Sequence, residues 1–373
     1  MKKKGKKVCV CGGGGLGTVI AGFSAFNGYE VNVLTGRPEH WKQQIEVEGP
    51  LGQKYVGRVR RISSEAEDVI SRSEIIILCV PGSIIHSELE KIKPYISEKA
   101  VVGCVFSCTG FFISAISVLG EKARLFGFQR VPFIARVKEY GRSAIMLDNR
   151  KSLNLAFWGL DNAEKEATAL ELEQILATPI QILPHALQAT LTNSNPILHP
   201  CRLYSLFKDF DISQPFENIP RFYEDWTDDS SRILIECDNE FQLMLSMLGL
   251  KSKYTPPLLE YYDSHDAESL TRKITSIRSL KGLLVPMIKV EGGYAPDWEN
   301  RYFTEDIPYG MLLVRFICQE IGLKTPVIDK IIMWYQTNTG KKYLENGVIA
   351  QSLDVASIGC LKSDVLKLMF SML

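Results

Sequence analysis

Between Cys11 and Thr18 the chain reads Gly-Gly-Gly-Gly-Leu-Gly, with a short apolar run before it (Lys7 to Cys11) and a stretch of helical character after it (Thr18 to Asn27). No other passage restricts the fold so tightly. Gly12, Gly14 and Gly17 fit the spacing G-x-G-x-x-G, and Gly15 lies inside the same turn. The first glycine of such a turn permits a tight bend, the second lets the backbone approach a pyrophosphate, and the third lets helix and strand pack closely. The helix N-terminus then faces the phosphates. Taken alone the string is a weak signal. Here it follows a strand, opens a helix and precedes a second strand, Glu30 to Leu34, at the right distance, and that context makes it a dinucleotide-binding βαβ unit.

The end of the second strand selects the nucleotide. An acid about 20 residues beyond the glycines would bond the ribose 2′-hydroxyl of NAD. This chain has Leu34-Thr35-Gly36-Arg37 instead. Thr35 takes the acid's place, and Arg37 is able to fork onto a 2′-phosphate that a carboxylate would repel. The residues therefore favour NADP as cofactor, with NAD the other possibility. Val80 and Pro81, at the carboxyl end of the apolar run EIIILCV, are a second place where backbone would line the dinucleotide crevice.

Strand-like and helix-like segments alternate through the first half. EIIILCV (Glu74 to Val80) and AVVGCVF (Ala100 to Phe106) are nearly unbroken apolar runs, as expected of parallel strands covered on both faces. Ser143 to Leu147 and Leu153 to Trp158 read as further strands, followed by a long helical pattern from Asn162 to Ile175. Beyond Leu183 apolar positions recur at helical spacing, as in Ser231 to Leu248, Tyr309 to Ile321 and Val327 to Gln336. Thr325-Pro326 reads as an N-cap with proline behind it, and Gly322 as the end of the helix before. The expected architecture is α/β: a Rossmann-type doubly wound parallel sheet over residues 1–180, then an all-helical domain over 181–373.

Composition excludes several classes. Lys plus Arg equals Asp plus Glu at 43 each, so no overall basic field draws the chain to nucleic acid. The 46% hydrophobic content is that of a folded protein. Nine cysteines, several inside apolar stretches and none in a CxxC pair, predict reduced thiols, no structural metal and a cytoplasmic setting. The N-terminal MKKKGKK followed by apolar residues resembles a secretory leader, but the glycines favour the nucleotide turn. No apolar run reaches the roughly 18 residues of a membrane span.

A residue that must move protons near neutral pH is most easily a histidine. Of the five, His40 and His86 read as surface residues, His265 as ion-paired in an acidic loop, and His185 as a helix-start residue. His199 is different, because it lies in the polar, proline-broken passage Asn193-Ser194-Asn195-Pro196-Ile197-Leu198-His199-Pro200. Catalysis and a hydrogen-bonded structural role are both open to it. The second candidate passage is Arg301-Tyr302-Phe303-Thr304-Glu305-Asp306-Ile307-Pro308-Tyr309-Gly310. Asp306 would either act in chemistry or cap the helix that starts near Pro308, and Arg301 would either bind a ligand or stand in solvent.

The chain resembles the opine dehydrogenases of the octopine/nopaline dehydrogenase group. The resemblance is carried by GGGGLG, the Asn-rich passage ending in LHP at 198–200, RYFTEDIPYG at 301–310 and GLKTP at 322–326. It implies catalytic roles for His199, Asp306 and Arg301, and reductive condensation of an α-keto acid with an amino acid or related amine at the expense of NAD(P)H. Several relatives in that group use NADH, whereas Thr35 and Arg37 point to NADPH. Two rivals are ketopantoate-reductase-like reduction of a 2-keto acid and a non-catalytic dinucleotide-binding protein. Ketopantoate reductases use a lysine early in the helical domain, and none lies between Pro184 and His199.

Overall fold

The structure is a computed structural model that describes residues 5–373. The chain forms two compact units that meet in sequence at Thr190 and Leu191.

The first unit opens with β1 (Lys7–Cys11), α1 (Gly15–Phe26), β2 (Glu30–Leu34), β3 (Gln44–Glu48), β4 (Lys54–Arg58), β5 (Arg61–Ser63) and α2 (Ala66–Ile70). It continues with β6 (Ile75–Leu78), α3 (Gly82–Ile92), β7 (Val101–Cys104), α4 (Phe111–Leu119), β8 (Leu125–Phe128), β9 (Phe133–Glu139) and β10 (Ser143–Asn149). β11 (Leu153–Trp158), α5 (Asn162–Leu176), β12 (Ile180–Ile182) and α6 (Ala186–Thr190) complete it. Eight strands make one sheet in the order β12-β11-β8-β7-β6-β1-β2-β5. From β5 to β8 the strands are parallel, while β11 runs antiparallel to β8. The chain leaves β1 toward β2 on one side and returns to β6 on the other, so the strand order reverses beside β1. In open α/β sheets that reversal opens the ligand crevice at the carboxyl ends of the strands. This is the Rossmann-type parallel sheet expected from the alternation.

A second sheet, β4-β3-β10-β9, was not legible as such. The strand expected at Ser143 to Leu147 exists as β10 but belongs here, paired with β3 and β9. Helix α1 is covered by this sheet as well as by the first. Its residues Gly17 to Ser24 are all buried, and Gly22 faces Ile45 and Val47 of β3. A helix buried all round must be apolar all round. That is why this segment resembles a secretory leader.

The second unit is predominantly helical. It contains α7 (Asn195–Phe207), α8 (Asp228–Met247), α9 (Leu258–Tyr261), α10 (Ala267–Thr275), α11 (Arg301–Thr304), α12 (Leu312–Glu320), α13 (Pro326–Thr339), α14 (Leu353–Ala356) and α15 (Ser363–Phe370). Two small hairpins, β13–β14 (Met287–Val290 with Gly293–Pro296) and β15–β16 (Leu344–Glu345 with Val348–Ile349), interrupt the helices. Pro200 lies inside α7, which runs on through it, so the passage around His199 is a continuous helix rather than a break. Thr325 precedes α13, but its hydroxyl bonds Asp329, not the helix backbone. The carboxylate of Glu240 on α8 instead accepts the N–H groups of Val327 and Ile328, at 2.8 and 3.0 Å. A cap supplied 87 positions away has no local signature. Among the described residues no helix is long and apolar enough to cross a membrane.

Candidate active site

In the first unit, the turn after β1 is shaped by two close approaches. Gly12 has φ +119°, and a Cβ there would stand 2.6 Å from the carbonyl oxygen of Cys79. A Cβ on Gly17 would stand 1.9 Å from the carbonyl oxygen of Gly12, so α1 begins against the turn that leads into it. Gly14 precedes the helix and faces open space, and no side chain caps the first turn of α1, which includes Gly15. Uncapped N–H groups at the end of a 12-residue helix, beside a glycine with open space at its Cβ position, are what a pyrophosphate requires. Val80 packs against Gly12, and Pro81 leads into α3.

Thr35 is buried at the end of β2, and its backbone N–H donates to Ser63 at 3.0 Å. Its hydroxyl lies 3.1 Å from the hydroxyl of Tyr140, and the guanidinium of Arg37 lies over the Tyr140 ring, 4.7 Å from its centroid. Arg37 is exposed, so it keeps its charge available while resting on an aromatic face. Tyr140 follows β9, in the sheet the sequence did not reveal, and its part in this arrangement was unforeseen.

In the second unit, His199 projects from α7 and is 3% exposed. Its Nδ1 lies 2.8 Å from Asp306 Oδ2. A carboxylate can only accept, so Nδ1 carries the hydrogen and donates it. Nε2 of the neutral ring then accepts the O–H of Tyr223, at 3.1 Å. Tyr302 stacks on the imidazole at 4.2 Å between centroids, and Phe222 meets it edge-on at 5.3 Å. The ring is thus held in its plane by aromatics and about its axis by two hydrogen bonds.

Asp306 reaches His199 because of an irregular turn. Residues Ile307–Met311 form one turn of π-helix, in which Met311 donates to the carbonyl of Asp306, five residues back, at 2.9 Å. Gly310 in this turn lies so near the start of α7 that a Cβ would be 2.7 Å from Pro196. The Asp306 side chain caps nothing; its bond goes to His199. Arg301, first residue of α11, is exposed and lies 5.9 Å from the Tyr302 ring, and its positive charge acts on the Tyr223 phenol. Its backbone carbonyl accepts the N–H of Asp306 at 3.4 Å, while among the described residues its guanidinium bonds neither His199 nor Asp306. Asn193, from the Asn-rich passage, is buried and donates to Asp238 and to the carbonyl of Pro256, both at 2.8 Å, which ties α7 to α8 and to the segment before α9.

The other histidines stand elsewhere. His40 and His86 pair with Glu39 and Glu90, His265 with Asp266, and His185 Nδ1 accepts the N–H of Leu187 at the start of α6. Sequence reasoning missed Tyr223 altogether. The run of aromatics in Phe222-Tyr223-Glu224-Asp225-Trp226 was the only available signal.

A parallel dinucleotide sheet joined in sequence to a helical unit that carries an acid-held imidazole defines an NAD(P)-dependent dehydrogenase. Comparison with known proteins narrows the class. Residues 182–339 match the model of the NAD/NADP octopine/nopaline dehydrogenase alpha-helical domain, and residues 8–106 match that of ketopantoate reductase. The octopine dehydrogenase of Pecten maximus is 31% identical over 95% of each chain, and the tauropine dehydrogenase of Arabella iricolor 27% identical over 91% of this chain and 92% of its own. A solved octopine dehydrogenase with NADH and L-arginine superposes with a TM-score of 0.85 at 29% identity, covering 95% of this chain and 94% of the other. The chain belongs to the octopine/nopaline dehydrogenase family and is an oxidoreductase acting on CH–NH donors.

Proposed function

We propose that the protein condenses an α-keto acid with the amino group of an amino acid or related amine and reduces the product with NAD(P)H, giving a secondary amine that is a dicarboxylate when the amine is an amino acid. The observation that carries this reading is the pairing of buried His199 with half-buried Asp306 within a unit that matches the family's helical domain. Solved octopine dehydrogenases that this chain resembles hold NADH with L-arginine, with agmatine or with pyruvate. Residues 1–180 serve the dinucleotide and 181–373 the substrates. Of the nine cysteines all but Cys79 are buried, which supports a reducing, cytoplasmic setting.

The glycine turn fits a dinucleotide, because the space at the Cβ position of Gly14 is open and the first turn of α1 is uncapped. When bound, the reduced nicotinamide supplies the hydride. The chain's own work is binding and proton management. N–H groups of Gly15 and its neighbours hold the pyrophosphate, and Val80 and Pro81 line the crevice beside Gly12. Arg37, preset over Tyr140, pairs with a 2′-phosphate, so NADPH binds more tightly than NADH. His199 takes a proton as the amine adds to the keto carbon and returns it as water leaves. Asp306 holds the ring tautomer and stabilises the imidazolium. Arg301 binds a substrate carboxylate and orients the keto carbon.

The test is cofactor oxidation by the purified protein with pyruvate against a panel of amino acids and polyamines. Oxidation that requires both keto acid and amine is the expected result. Oxidation with keto acid alone would mean reduction to a hydroxy acid, and none with any pair would mean a binding protein without turnover.

A further inference from the structure

His199 has two ring nitrogens, and neither faces open solvent. Nδ1 is taken by Asp306, and Nε2, the nitrogen left for chemistry, is covered by the phenol of Tyr223. For His199 to work directly, Tyr223 would have to swing away. The structure resists that. The loop carrying Tyr223 is clamped by Arg202, a residue 1% exposed and one helical turn beyond His199 on α7. Arg202 donates from Nε to the carbonyl of Phe222 at 3.1 Å, from Nη2 to the carbonyl of Asp225 at 2.7 Å and from Nη1 to the Ser230 hydroxyl at 3.1 Å. These bonds fix the backbone on both sides of Tyr223. The ring itself is 8% exposed and stacks parallel to Trp226 at 6.4 Å.

We propose that Tyr223 is a catalytic residue, the group through which His199 exchanges its proton with the substrate; this rests on the condensation proposed above. In the dehydration step the proton on Nε2 of the imidazolium passes to the phenol oxygen, while the phenol's own hydrogen passes to the hydroxyl of the carbinolamine. The carbon–oxygen bond breaks with its electron pair leaving on oxygen, water departs, and the nitrogen lone pair forms the C=N bond. His199 ends neutral, the phenol unchanged and the substrate as an iminium. One proton is consumed, one water is released and no outside electrons are needed. In the addition step the same relay runs in reverse: the ammonium form of the amine gives one N–H proton through the phenol to Nε2, the freed amine attacks the keto carbon, and a second N–H proton passes to the alkoxide oxygen, leaving the neutral carbinolamine. Burial pushes the Tyr223 phenol well above its ordinary range, the neighbouring Tyr302, Tyr262 and Asp306 add to this, and Arg301 opposes it. A free phenolate therefore does not accumulate, and the two transfers are concerted. The charge of Arg301, the proposed carboxylate ligand, is felt at the same phenol, as expected if substrate binds beside it.

The experiment compares the wild type, Tyr223→Phe and a protein with 3-fluorotyrosine at position 223, measuring kcat, KM for the keto acid, NADPH binding and melting. Tyr223→Phe is expected to lose about 100-fold in kcat with KM changed by less than about threefold. The fluorinated residue keeps the ring and the bond to His199 but has a more acidic hydroxyl, so kcat should shift by more than about twofold with KM unchanged. A Tyr223→Phe kcat within about twofold of wild type, or a loss confined to KM, overturns the relay. Should the phenylalanine variant fail to fold, the fluorotyrosine protein decides: a kcat equal to wild type makes Tyr223 a structural residue. Failure of the condensation reading shows separately, as a wild type that oxidises no cofactor with any keto acid and amine.

Discussion

At the glycine turn, the backbone that would hold a phosphate belongs to residues 12 to 17, whereas the partners of His199 lie 24 and 107 positions away along the chain. The first arrangement is made of main chain, and its requirements are steric: a positive φ at Gly12 and no Cβ at Gly17. The second is made of side chains, and it exists only because packing at Gly310 and Pro196 brings two distant segments together. Main-chain sites are robust to neighbouring side chains and intolerant of an added methyl. Side-chain sites behave in the opposite way.

That contrast yields a graded set of tests. The largest effect is expected from His199→Ala, which should lower kcat by about 10²- to 10⁴-fold while NADPH titrates as in the wild type. Loss of NADPH binding as well would mean that the two sites are not separable. Asp306→Asn keeps the shape but not the charge, and kcat should fall about 10- to 100-fold, less than for His199→Ala. Next comes Gly17→Ala, where a methyl cannot stand 1.9 Å from the Gly12 carbonyl without backbone shift. We expect a stability loss of about 1–3 kcal/mol by denaturant titration together with weakened NADPH binding. Unchanged binding would show that the turn does not hold the phosphates. Smallest is Arg37→Ala, which should cost about tenfold in NADPH affinity and leave NADH affinity alone. Tighter binding of NADH than NADPH by the wild type would already defeat the 2′-phosphate reading.

The same contrast explains what the sequence revealed. β1, β6 and β7 are buried on both faces, so their apolar runs stand out without context. β3 and β9, with exposed or half-exposed polar residues along their length, do not. The sheet they form was invisible for that reason, and Tyr140 with it. His199, Asp306 and Arg301 were nominated by their passages, but no spacing rule connects residues 107 apart, and the hydrogen bond that joins the first two is a product of tertiary packing. Tyr223 had no motif to mark it. It became visible only as the hydrogen-bond partner of Nε2. Glu240, capping α13 from another helix, is a parallel case in which a local signal, Thr325, pointed to the right boundary through the wrong residue.

The π turn at Ile307–Met311 has a consequence for how this family could change. Each residue of an α-helix advances the chain by about 100° around the axis, and one turn of π-helix accommodates one residue too many. Deleting a single residue there would restore the ordinary repeat and rotate everything on its N-terminal side by that angle relative to α12. Asp306 and Arg301 would turn with it, away from the imidazole, though no residue of the cluster had been replaced. The angular phase of this helix is thus itself inherited information, and a length change of one position is a more damaging event here than most substitutions.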